Sequence, residues 1–128
     1  MSDKLAGVHP SLISAYTKIF DAMASLGFDL RVTDGLRTVA QQQALYAKGR
    51  TAPGNLVTNA DGVIKRSNHQ AHEDGFGHAL DCTFFVNGVP SWDEKLPWKL
   101  YGEMAKSLGC KWGGDWVGLV DKPHIEWP

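Results

Sequence analysis

Only two cysteines occur in the 128 residues, Cys82 and Cys110. That is too few for a disulfide framework, and they do not form a Cys-x-x-Cys pair. Both are expected to be reduced, small core residues. An excess of either charge is also missing. A formal net charge of −1 leaves no broad field to draw nucleic acid or an anionic membrane. No apolar run approaches the roughly 20 residues of a membrane span, so membrane insertion is not expected. Met1-Ser2-Asp3-Lys4 is polar and no apolar stretch of about 10 residues follows it, so no signal peptide is expected either. Repeats, linkers and low-complexity tails are absent. What remains is one domain spanning residues 1–128, with 43% hydrophobic and 21% charged residues, long enough to bury a core without staples.

Periodicity divides this domain into mixed elements. Leu12, Tyr16, Ile19, Phe20 and Met23 recur at helical spacing, with Pro10 and Ser11 at the start and Gly27 at the stop. Asp29 to Thr33 reads as a short strand ended by Asp34-Gly35. Thr38 and Gln41 form a capping-box pattern for a second helix, with Leu45 on its inner face and Gly49 at its end. Residues 49 to about 76 show no apolar period, and a structureless stretch of that length is usually functional. His78 to Val86 reads as a strand. Pro97 to Leu108 reads as a third helix with Leu100, Tyr101, Met104 and Leu108 inward. Lys111-Trp112 and Ile125-Glu126-Trp127 read as short strands around a Gly113-Gly114-Asp115-Trp116 turn. Without regular βαβ alternation, the class is α+β: about three helices packed on a small, mainly antiparallel sheet.

Chemistry concentrates in two runs, Gly77-His78-Ala79-Leu80-Asp81 and Asp121-Lys122-Pro123-His124-Ile125-Glu126-Trp127. Strand alternation puts Ala79, Asp81 and Thr83 on one face, and Leu80, Cys82 and Phe84 on the other. Asp81 therefore faces a cleft, while Cys82 is not counted as a ligand. His124 and Glu126 share a face with Ile125 turned to the core. A carboxylate and two imidazoles brought together from separate segments are what a catalytic zinc site needs, with a fourth position left open for water. Asp121 is a candidate base for that water. Glu126 competes for the role, or else orients His124 from behind. Arg37, at the mouth of the second helix, can stabilise an oxyanion or sit in a surface ion pair. The tryptophans at 112, 116 and 127 are read as core or cleft wall. The constellation reads as a zinc hydrolase.

Several runs occur in a telling order: Gly35-Leu36-Arg37-Thr38, Leu45-Tyr46-Ala47-Lys48-Gly49-Arg50-Thr51-Ala52-Pro53-Gly54, Val57-Thr58-Asn59-Ala60, Ser67-Asn68-His69 and the two runs above, with Trp112 to Trp116 between them. Together they resemble the L-alanyl-D-glutamate peptidases of phage endolysins and bacterial autolysins. These belong to the D-alanyl-D-alanine metallopeptidases, which share the hedgehog-type fold. The resemblance implies Zn²⁺ held by His69, Asp81 and His124, with Asp121 as base. It also implies that Arg37 holds the substrate and its developing oxyanion; its neighbour Thr38 and Trp116 are further candidates for the substrate site. One departure stands out. The usual His-x-x-Gly-x-Ala-x-Asp spacing would put a histidine where Asp74 is, whereas His69 lies twelve residues before Asp81. A loop insertion of about five residues would reconcile His69 with a normal site; His72 is the rival ligand, and an altered site the remaining alternative.

The implied partner is the peptide stem of bacterial peptidoglycan, cut at the L-Ala–D-Glu bond by a monomer. The implied setting is a phage endolysin that accumulates in the host cytoplasm and acts on the wall in the periplasm after holin-dependent release. Two rivals stand beside this reading: a D-alanyl-D-alanine carboxypeptidase or dipeptidase, and a non-catalytic wall-binding module.

Overall fold

The computed structural model describes residues 3–128. Helix α1 spans Pro10–Ser25, as its period predicts. The His9 ring accepts a hydrogen bond from the Ser11 backbone N–H at 3.1 Å, which satisfies one of the free amides of the first turn. Leu12, Ala15, Tyr16, Ile19 and Met23 form the buried face. Each of the larger ones contributes roughly 1.5–3 kcal/mol by leaving water. Tyr16 also donates its hydroxyl to the Leu30 carbonyl at 2.9 Å, tying α1 to the first strand.

That strand, β1, runs Asp29–Asp34 and pairs antiparallel with β2, Ala79–Val86. Helix α2, Val39–Ala47, lies between them in sequence, and its Thr38–Gln41 capping box is formed in both directions. Its buried side chain is Gln42; Leu45 is only half-buried, a correction to the expected inner face. A hairpin absent from the sequence reading follows β2. Asn87 and Gly88, both with positive φ, turn the chain into β3, Val89–Ser91, so that Val86 pairs with Val89. Helix α3 is Trp98–Ser107, and two short strands complete the sheet: β4, Lys111–Trp112, and β5, His124–Glu126. The sheet order is β1-β2-β5-β4, with β3 on the far end of β2, and every paired strand is antiparallel. The fold is the expected α+β arrangement. No described residue between Lys48 and His78 belongs to a helix or a named strand.

The inward face of α3 differs from the expected one. Leu100 is exposed, while Trp98, Tyr101, Gly102 and Ala105 are buried, the true i, i+3, i+4, i+7 stripe. Gly102 makes room for the Trp112 ring. A Cβ there would lie 2.2–2.5 Å from three ring atoms. Glycine inside a helix costs about 1 kcal/mol relative to alanine, so the ring contact outweighs propensity. Gly102→Ala is expected to destabilise the protein by about 1–3 kcal/mol through overpacking, measured by urea denaturation. Stabilisation instead would mean that Trp112 repacks freely.

Candidate active site

Asp81 and His124 are direct cross-strand partners in the β2–β5 pair. The sheet register alone therefore brings two of the expected ligands together. His69 arrives from the long loop. The Ser67 hydroxyl accepts its backbone N–H at 3.1 Å, and its carbonyl accepts the Arg37 N–H at 2.8 Å. The result is a nearly equilateral set of ligand atoms. His69 Nε2 is 3.2 Å from His124 Nδ1 and 3.3 Å from Asp81 Oδ1, and His124 Nδ1 is 3.2 Å from Asp81 Oδ1. Ligands about 2.0–2.1 Å from a tetrahedral zinc stand about 3.4 Å apart.

The outer hydrogen bonds decide what those atoms carry. His69 Nδ1 lies 2.8 Å from the Gly35 carbonyl, which can only accept, so that nitrogen holds the proton and Nε2 keeps its lone pair. His124 Nε2 lies 2.8 Å from Glu126 Oε1, which leaves the Nδ1 lone pair pointing inward. Two imidazole nitrogens and a carboxylate oxygen converge within van der Waals reach, an arrangement that a metal ion or a shared proton between them stabilises. The donor set fits zinc, and each histidine has the outer partner that metal-bound imidazoles use. In the metal-free site a proton takes the cation's place: burial works against charge on His124, yet hydrogen bonds to Asp81 and Glu126 raise it to about 9, so a metal entering the site displaces the proton on Nδ1. Burial likewise opposes charge on Asp81, but His69 and His124 hold it well below the usual carboxylate range.

Asp121 stands beside this triad, with Oδ2 3.9 Å from His124 Nδ1. Burial, then the charge of Asp81, lifts it above an ordinary aspartate, against the pull of His124, His69 and Arg37. Its backbone is pinned by a bond from its N–H to the Gly113 carbonyl at 3.0 Å. The turn to His124 is further held by Trp112, which donates to the Lys122 carbonyl at 2.8 Å, and by Tyr101, which donates to the Pro123 carbonyl at 2.8 Å. Glu126 has a different position. Its carboxylate lies behind His124, held below the ordinary range by His124 and Asn68 despite burial.

Arg37 is neither a surface ion pair nor free. Its Nε donates to Asp34 at 2.6 Å, Nη1 to Gln42 at 3.0 Å, and Nη2 to Asp81 Oδ2 at 3.2 Å. A bulge at Thr33 sets this up, by placing Asp34 opposite Asp81 in the register. Arg37 thus clamps the oxygen of Asp81 that faces away from the histidines, and two of its five N–H groups remain for a substrate. Thr38, expected at the substrate, caps α2 and does not line the cleft. Trp116 does line it, with its ring 4.7 Å from that of His124. The cleft holds about 670 Å³, and its walls include Asn59, Lys65, Trp92 and Leu119, to none of which the sequence assigns a site role; Asn59 belongs to one of the runs that carry the resemblance, and Lys65 reads as part of a solvated loop face. Lys65 and Asn59 come from the aperiodic loop, where no pattern marks a lining residue.

A second histidine cluster has another character. His78 Nε2 is 2.7 Å and His9 Nε2 3.9 Å from Asp74 Oδ2. The shorter distance is that of a proton-bridged pair, not of two ligands on one metal. His9 Nδ1 accepts from Ser11, so the Nε2 of the neutral ring carries a hydrogen. His78 Nδ1 faces the Trp127 carbonyl at 3.2 Å, and His72 stacks on His78 with centroids 3.9 Å apart. This cluster ties α1, the loop and the chain end together. His72 is thus drawn away from the His69–Asp81–His124 triad. Cys82 and Cys110 are buried free thiols, as expected.

Comparison with known proteins agrees with this geometry. The family model described as D-alanyl-D-alanine carboxypeptidase matches residues 61–127, which carry all three triad residues and Asp121. The chain is 35% identical over 128 aligned positions to the peptidoglycan L-alanyl-D-glutamate endopeptidase CwlK of Bacillus subtilis, covering 93% of this chain and 72% of that protein. It is 31% identical to the L-alanyl-D-glutamate peptidase of Listeria phage A118, covering 88% of this chain but 35% of the phage protein. Among solved structures, the L-Ala D-Glu endopeptidase ChiX of Serratia marcescens superposes with a TM-score of 0.64 at 27% identity, covering 98% of this chain and 84% of that one. The chain therefore belongs to the M15 metallopeptidase family, the family of the D-alanyl-D-alanine carboxypeptidases.

Proposed function

We propose that this peptidase is a zinc-dependent endopeptidase that cuts the L-Ala–D-Glu bond in the peptide stem of bacterial peptidoglycan. The observation that carries the metal is the convergence of two oriented imidazole lone pairs and one carboxylate, with Asp121 alongside. The choice of bond is supported by three relatives whose names carry that activity.

His69, Asp81 and His124 would hold the zinc. When bound, the metal supplies Lewis acidity, which polarises a carbonyl and lowers the pKa of a water to roughly 7. Asp121 accepts the proton of the attacking water and returns it to the leaving amine. Its carboxylate stands beside the triad and lines the cleft, within reach of a water attacking there. Arg37 holds Asp81 in place and offers its remaining N–H groups to the oxyanion that develops as the amide is attacked. Trp116 and Trp92 wall the cleft where the stem lies. The similarity to the phage peptidase supports a role as an endolysin, working as a monomeric domain that reaches the periplasmic wall from the host cytoplasm after holin-dependent release.

The test is mass spectrometry of muropeptides from purified peptidoglycan, digested with zinc-loaded and with chelator-stripped protein. New N-terminal D-glutamate on released stems, only with zinc, is the expected result. Loss of terminal D-alanine alone would make the enzyme a carboxypeptidase. Zinc-dependent binding without cleavage would make it a wall-binding module.

A further inference from the structure

We propose that Asn68 is a positioning residue for the metal site, holding the Glu126 carboxylate so that it fixes the ring of His124. The inference rests on the reading of His124 as a metal ligand. Asn68 Nδ2 lies 2.7 Å from Glu126 Oε2, while Glu126 Oε1 lies 2.8 Å from His124 Nε2. An ionised carboxylate only accepts, so the asparagine must present its NH₂ to one oxygen and His124 its N–H to the other. Both oxygens are then engaged, and the plane of the carboxylate is set.

Asn68 has a competitor. Lys111 is the cross-strand partner of Glu126 on β4, and its charge also acts on that carboxylate. Without Asn68, the carboxylate can turn toward the lysine and release His124 Nε2. The ring would then lose what keeps its Nδ1 lone pair directed at Asp81 and His69. Asn68 is itself fixed, because its carbonyl accepts the His78 N–H at 2.8 Å. It also precedes His69 directly. One dipeptide of the loop therefore delivers one ligand and, through Glu126, orients another on a strand 55 residues away. Asn68 acts on the metal only through Glu126, and that makes the idea separable from a general structural role.

The experiment is a double-mutant cycle read as zinc affinity, by competition with a chromophoric chelator, and as the absorption spectrum of the Co(II)-loaded proteins. Glu126→Ala is expected to weaken zinc binding roughly 10–100-fold, and Asn68→Ala about 10-fold. The double variant should be no weaker than Glu126→Ala alone. Both single variants should shift the Co(II) bands in the same direction. The metal-free Asn68→Ala protein should melt close to the parent. If it does not fold, Asn68→Ser takes its place in the cycle. Unchanged zinc affinity in the Asn68 variant would overturn the proposal, as would losses that simply add in the double variant. His124→Ala serves as the control: loss of zinc there with no effect at Asn68 sinks this inference alone, whereas full zinc retention there sinks the metal site with it.

Discussion

Asp121→Ala is expected to lower kcat for stem-peptide cleavage by about 10²–10⁴-fold while zinc affinity stays within about threefold. The separation follows from position. Asp121 Oδ2 lies 3.9 Å from His124 Nδ1, beside the triad and facing the cleft, and makes no hydrogen bond to either histidine ring. It is near enough to take a proton from a water attacking there, and its removal leaves the convergent donors intact. Glu126, the rival base, has both oxygens committed behind the ring of His124. Its loss should therefore register first as weaker metal binding. Steady-state kinetics on a defined muropeptide, with metal content measured on the same samples, distinguishes the two roles. Normal turnover by the Asp121 variant would remove it from the mechanism. Loss of zinc in that variant would make it a structural neighbour of the site.

His69→Ala is expected to lose zinc and all activity together, whereas His72→Ala keeps both. The two histidines are three residues apart, but their settings differ. His69 is almost fully buried, with Nδ1 bonded to the Gly35 carbonyl and Nε2 aimed at Asp81 and His124. His72 is exposed and stacks on His78 in the second cluster. Deleting a ligand should cost more affinity than the roughly 10–100-fold that loss of an outer partner causes. Zinc analysis after dialysis against a mild chelator reads the result. A His72 variant that loses zinc while the His69 variant retains it would reverse the assignment.

What could be read from the chain, and what could not, has physical reasons. Helix α1 announces itself because Leu12, Tyr16, Ile19 and Met23 repeat at a single period over four turns. The Thr38–Gln41 box works because it is local chemistry. In α3 the same logic failed: Gly102 carries no hydrophobic signal, yet the Trp112 ring buries it, so the stripe was rotated toward Leu100. Asn87-Gly88 is a strong hairpin signal between Val86 and Val89, but the strand that follows is only three residues long, too short to show a period of its own. Gln42 is fully buried, a fact that depends on Arg37 and Ala60 from elsewhere in the chain. Thr38 lies next to Arg37 in sequence, but helix capping turns its hydroxyl to the Gln41 backbone. The tie between Asn68 and Glu126 spans 58 positions and has no local signature at all.

The segment after His69 has a broader consequence. The His78 N–H bonds to the Asn68 carbonyl at 2.8 Å, so the segment between them leaves the site and returns to the same place. Within it, Ala71 bridges Gly77, and the His72 N–H bonds to the Phe76 carbonyl at 2.9 Å, closing a small turn. The metal site sees only the two ends of this excursion. Because loop closure costs only about 0.6 kcal/mol per doubling of length, added residues cost such a segment little, provided that Asp74 keeps its contacts with His78 and His9. The loop between His69 and the sheet is thus a graft point, where this peptidase can accept new sequence while the His69–Asp81–His124 triad stays where β2 and β5 put it.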